Sequence, residues 1–164
     1  MAFRLREYVR LLERLRGSGY GLRPIKRYFQ DDTPPVVFLK HDVDRLPGRA
    51  VRMAIAEHGF EIEATYYFRC NGHAEFPENE IRAIQGLGHE IGFHYESLVR
   101  ARGDIAVAAE CFDRELAALR RIVDVRTIAA HGSPLSAVSN RGPSFTIDRQ
   151  RLGLVGEPGV HFDF

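Results

Sequence analysis

Lys40, His41, Asp42 and Asp44 fall within five residues at the end of an apolar run, Val36-Val37-Phe38-Leu39. The run is β-branched and aromatic and follows Pro34-Pro35, so it predicts a buried strand. Asp42 and Asp44 are two residues apart and would share one side of that strand. Two neighbouring carboxylates repel unless a cation or a shared proton lies between them. Their chemistry is therefore that of a metal site. The plainer reading makes one aspartate a helix cap and leaves the other solvated, because aspartates at strand ends commonly build turns. His41 has the opposite parity and is expected in packing, or in support behind a ligand.

The elements that must position these residues follow from periodicity. Leu5, Tyr8, Leu11 or Leu12 and Leu15 give an amphipathic helix over 3–16, ended by Gly17-Ser18-Gly19. A short helical turn over Pro24–Phe29 completes an N-terminal helical extension of about 1–30, and Asp31-Asp32-Thr33-Pro34-Pro35 reads as a loop. Pro47–His58 is predicted as a helix closed by Gly59. Glu61–Arg69 and His89–Tyr95 read as strands, with a helix over Glu78–Leu87 between them. A long helix is expected from an Asp104 cap to Ile122, then a strand over Val125–Ala130. Residues 132–150 look irregular, with Asn140-Arg141-Gly142-Pro143 a loop signal. Leu152–Gly156 is a possible fifth strand. Helices alternating with apolar strands imply a parallel sheet in a single α/β domain spanning 1–164.

In such folds, function gathers where strands end. The expected strands end in Asp42 and Asp44, in Arg69, in His94 and Glu96, in His131 and in Glu157. Two histidines and a carboxylate are usual ligands of a catalytic divalent metal. Asp44, His94 and His131 fit that set, with Asp42 beside them to take a proton from water. Arg69 suits an anionic substrate group or a carboxylate partner, against the plainer role of a solvated strand end. His58 and His73 read as surface or packing residues.

Composition sets the outer limits. The chain has 164 residues, 45% apolar and 27% charged, with a formal net charge of +1. Nothing in that balance calls for nucleic acid or a membrane surface. Cys70 and Cys111 follow no metal or redox spacing. The start Met-Ala-Phe-Arg-Leu-Arg-Glu lacks an apolar signal segment, so a cytoplasmic protein is expected.

Three stretches carry a family resemblance: Phe38-Leu39-Lys40-His41-Asp42-Val43-Asp44, Ala64-Thr65-Tyr66-Tyr67-Phe68, and Leu87-Gly88-His89-Glu90-Ile91-Gly92-Phe93-His94. Together they resemble the polysaccharide deacetylase (NodB-homology) family over about residues 35–135. The chain is most similar to a branch with a His-Asp-Val-Asp first motif and a later His-Gly-Ser-Pro, here His131-Gly132-Ser133-Pro134. The resemblance implies a distorted, seven-stranded parallel (β/α) barrel. It also implies metal-dependent hydrolysis of a carbon–nitrogen bond other than a peptide bond, with Zn²⁺ the expected cofactor and an N-acylated sugar the expected substrate. Asp42 matches the family's general base, and Asp44 and His94 match metal ligands. His89 matches a position that is usually structural.

Two departures accompany the resemblance. Leu98 stands where the family places a further metal histidine. His131 is the replacement candidate, or else the general acid, and Glu96 is the second choice as ligand; Arg69 and Glu96 are otherwise expected to bind substrate. Only four or five strands are predicted, and Val160-His161-Phe162-Asp163-Phe164 looks like part of another. The barrel is therefore expected to be incomplete at its C-terminal side, or the sheet open. Two rivals stand beside the deacetylase reading: a catalytically inactive carbohydrate-binding or scaffold member of the fold, and a two-carboxylate glycosidase using Asp42 and Glu157.

Overall fold

The computed structural model describes residues 4–29, 35–140 and 145–158. Residues 31–34 of the expected loop over 31–35, residues 141–143 of the expected loop over 140–143 and the stretch 160–164 lie outside them. Among the described residues the chain builds α1 (Leu5–Gly17), β1 (Gly21–Arg23), a 3-10 turn (Ile25–Phe29), β2 (Val36–Phe38) and β3 (Lys40–Val43). It continues with α2 (Pro47–His58), β4 (Thr65–Phe68), α3 (Glu78–Gly86), β5 (Glu90–Tyr95), α4 (Ser97–Arg100), α5 (Ile105–Arg120) and β6 (Ile128–Ala130).

The six strands form two parallel sheets, β1-β2 and β3-β4-β5-β6, curved into a half-barrel. The expected seven-stranded barrel is therefore corrected. The run Val36–Val43 divides at Leu39 and changes partner there. Leu39 N donates to Arg23 O at 2.8 Å on one side, and Leu39 O accepts from Thr65 N at 2.9 Å on the other. Past β6, among the described residues, the sheet gains one bridge, Thr127 to Gly156, where a fifth strand was expected. The intervening segment is rich in Gly, Pro and Ser and makes no further ladder among the described residues. β1 lies inside the stretch read as a helical extension; at three residues it is too short to show a period.

Parallel register decides what each face carries. His41 pairs with Tyr66 and Tyr66 with Ile91, while Val43, Phe68 and Phe93 form the next matching row. The residues of these rows face the helices, and Val43, Tyr66, Phe68, Ile91 and Phe93 form the main core with Ala54, Ile81, Ile84, Phe112, Leu116 and Leu119. Burying each large apolar side chain contributes about 1.5–3 kcal/mol. Pro47 opens α2 at its first turn and Gly59 closes it, as the sequence predicts. Asp104 caps α5 by accepting from Val107 N at 3.0 Å. None of the helices among the described residues is long and apolar enough to cross a membrane.

Behind the sheet lies a buried polar knot. Glu57 is fully buried and accepts from the Tyr8 hydroxyl, from the Tyr66 hydroxyl at 2.6 Å and from His41 Nε2 at 2.7 Å. Burial alone would raise its carboxyl, but His41 and the two tyrosines hold it below the usual range. The knot fastens α1 to α2 and the sheet. It also gives His41 a structural post on the face opposite Asp42 and Asp44.

The inner face needs a glycine. Tyr67 pairs with Gly92, and a Cβ on Gly92 would stand 2.3 Å from the Tyr67 ring. Gly92→Ala is expected to destabilise the fold by about 1–3 kcal/mol through overpacking. The loss should shrink in a Tyr67→Leu background. Urea denaturation of the two single variants and the double variant measures both effects.

Candidate metal centre

The residues that alternate with the core rows line the inside of the half-barrel. Lys40, Thr65 and Glu90 form one row, and Asp42, Tyr67 and Gly92 the next. Two residues further along each strand, Asp44, Arg69 and His94 stand level. His94 pairs with Ala129, so Glu96 and His131 stand level beyond them. The ladder continues there through His131 N, which donates to Tyr95 O at 2.8 Å.

This register gathers Asp44, His94 and His131. His94 Nε2 is 3.6 Å and His131 Nε2 3.5 Å from Asp44 Oδ1. The three residues each offer a ligand atom within 4.8 Å of the others. Two atoms at about 2.1 Å from a tetrahedral ion lie about 3.4 Å apart, so both carboxylate-to-imidazole spacings suit one ion. The set is graded in exposure: His94 is 3% exposed, His131 17% and Asp44 40%.

The second ring nitrogen of each histidine is already committed. His94 Nδ1 faces Ala129 O at 3.0 Å. His131 Nδ1 faces Glu96 Oε1 and Ser133 Oγ, each at 3.3 Å. These partners assign the hydrogen to Nδ1 in both rings and leave the Nε2 lone pairs directed at Asp44. Burial pushes the His94 pKa down, against the opposing pull of Asp42, the Ala129 carbonyl and Asp44. A neutral imidazole is the form that binds metal.

The other expected residues take varied places. Asp42 sits one row below the ligands and is ion-paired to Lys40 Nζ at 3.0 Å. Its charge is the strongest ionic influence on His94. Glu96 lies behind His131 and accepts from Ser133 Oγ at 3.2 Å and from Arg69 Nη1 at 3.2 Å. Arg69 enters the ligand cluster itself: Nη1 is 3.3 Å from His131 Nε2, and Nε is 3.9 Å from Asp44 Oδ1. Leu98 is buried in α4 and offers no ligand. Glu157 is buried and accepts from the Tyr95 hydroxyl at 2.9 Å.

Two contributors carry little sequence signal. Asn140 is buried, donates to His131 O at 2.8 Å and accepts from Val99 N at 3.0 Å, so it ties the His131 loop to α4. In the sequence it is only the first residue of a loop signal. Ser133 hydrogen-bonds both His131 and Glu96; the His-Gly-Ser-Pro stretch contained it without indicating that contact.

A cavity of about 470 Å³ opens beside Asp44. Val43, Pro47, Phe76 and Pro77 give it apolar wall, and Arg45, Arg69, Asn71 and Glu75 give it polar groups. Cys70 also lines it, but burial pushes that thiol up to about 12, so it is no nucleophile near neutral pH. Leu46, between Asp44 and Pro47, holds a left-handed φ of 55°. That strain sits at the turn leaving the site.

No protein family matches the chain, and neither a curated protein nor a solved structure matches it.

His89 and His94 make stability pH-dependent. His89 Nδ1 accepts from Ala64 N at 3.1 Å and its Nε2 donates to Ala54 O at 3.0 Å, so the ring must be neutral. Burial lowers the pKa of both histidines. Their contribution is full above the unfolded value of about 6.5. It is lost as pH falls through that value toward the lowered folded values, because the unfolded chain binds the protons first. The urea midpoint of the metal-free protein is expected to fall between pH 7.5 and pH 5. A midpoint that rises over this interval would contradict the assignment.

Proposed function

We propose that the chain is a metal-dependent hydrolase of carbon–nitrogen bonds other than peptide bonds, removing the acyl group from an N-acylated sugar. The observation that carries this reading is the convergence of two Nε2 lone pairs and one carboxylate beside an open cavity. The resemblance of the Asp42–Asp44 and Gly88–His94 stretches to polysaccharide deacetylases supports the reaction class. The donor set suits Zn²⁺ and is shared by Co²⁺ and Ni²⁺. A divalent cation bound there supplies Lewis-acid polarisation of the acyl oxygen and acidifies water.

The chain's own groups account for the remaining tasks. Asp42, ion-paired to Lys40, takes the proton from the attacking water. Glu96 fixes the His131 ring through Nδ1, and Ala129 fixes His94. The cavity receives the sugar, with Phe76 as a face for the ring and Asn71 as a polar partner.

A second reading has its own observation. Arg69 already supplies a positive charge among the ligands, so the cleft could serve as a carbohydrate-binding module without turnover.

Acetate release from N-acetylated oligosaccharides, with added Zn²⁺, Co²⁺ or Ni²⁺, separates the two. Metal-dependent release is expected, and Asp42→Asn should lower it by about 10²–10⁴-fold. Glycan binding without metal and without turnover would favour the binding module.

A further inference from the structure

The Arg69 guanidinium reaches into the ligand cluster beside His131 and Asp44. Its Nη1 hydrogen points to His131 Nε2 at 3.3 Å, the lone pair that completes the ligand set. The same Nη1 donates to Glu96 Oε2 at 3.2 Å, and Nε lies 3.9 Å from Asp44 Oδ1. An imidazole nitrogen has one lone pair, so His131 Nε2 serves either the guanidinium or an ion. Charge points the same way. The Arg69 side chain is 23% exposed, and like charges in a partly buried site are poorly screened.

We infer that Arg69 is a built-in competitor for the divalent cation, and that cation entry drives its guanidinium out of the ligand cluster into the adjoining cavity. This rests on the metal reading above. The cavity gives the side chain a destination: Arg69 already lines it, and Glu75 offers a carboxylate on the same wall. Arg45 also lines that space. The loaded site would thus carry a second guanidinium where substrate enters, matched to an anionic group on the sugar. With no ion bound, Arg69 neutralises Asp44 and Glu96 and holds the half-barrel's rim together. The two states exchange one cation for another across the same carboxylates.

Titration of Co²⁺ into the full chain, followed by visible absorption and calorimetry, tests the exchange. Arg69→Met is expected to bind Co²⁺ about tenfold or more tightly than the unaltered chain, the scale on which groups around a metal site change affinity. His131→Ala should lose binding in either background. Equal or weaker binding by Arg69→Met, with binding by the unaltered chain intact, overturns the competition alone. No binding by either chain overturns the metal reading and the competition together. Nitrogen-15 NMR of the arginine side chains gives a readout that needs no variant. The Arg69 Nε–H signal is expected to shift and exchange faster with water when Zn²⁺ is added, and a signal that stays unchanged would refute the displacement.

Discussion

Strand parity is the constraint on which this molecule depends. Along β3 the order His41, Asp42, Val43 sends alternate side chains through opposite faces of the sheet. The parallel register carries that choice into β4, β5 and β6. Outward rows become core: Tyr66 and Phe68, Ile91 and Phe93, Ile128 and Ala130. Inward rows become the site: Asp44, Arg69, His94 and His131. A slip of one residue would bury the ligands under the helices and turn the core toward the cavity. The apolar face therefore holds the polar face in place.

The two faces treat ionisable groups differently. Outside, Glu57 is saturated by Tyr8, His41 and Tyr66 and has no route to chemistry. It fixes α1 against the sheet and so secures the strand that carries Asp42 and Asp44. Glu90, on the inner face, is equally committed, accepting from Thr65 at 2.5 Å, from Thr127 at 2.6 Å and from Lys26 N at 2.8 Å. Burial raises its carboxyl despite these donors. Near the strand ends polar atoms stay available. There the Nδ1 atoms of His94 and His131 are bound elsewhere, which leaves the Nε2 lone pair of His94 open and that of His131 to Arg69.

Much of this was legible in the sequence, for local reasons. Pro47 and Gly59 mark α2, Asp104 marks α5, and the strand-end rule brings Asp44, His94 and His131 to one place. What was not legible is tertiary. Leu39 is an ordinary strand leucine, and nothing local shows that the chain changes partner there. Strand number came from the resemblance, whose motifs span three strand ends and cannot count strands beyond them; the described residues form six, in a half-barrel. Leu152–Gly156 has the apolar content of a strand but makes a single bridge. Arg69 could be placed at the rim but not inside the ligand cluster, because a long side chain's endpoint depends on Glu96 and His131 from other strands. Gly92 is conspicuous in an apolar run only once Tyr67 is known to lie over it.

The central claim is that one ion can be held by Asp44, His94 and His131. X-ray absorption on the zinc-reconstituted chain tests it most directly. The account predicts two imidazole nitrogens and carboxylate or water oxygen at about 2.0–2.1 Å, with one imidazole lost in His94→Ala. Sulfur at about 2.3 Å, or a shell of oxygens with no imidazole, would contradict it.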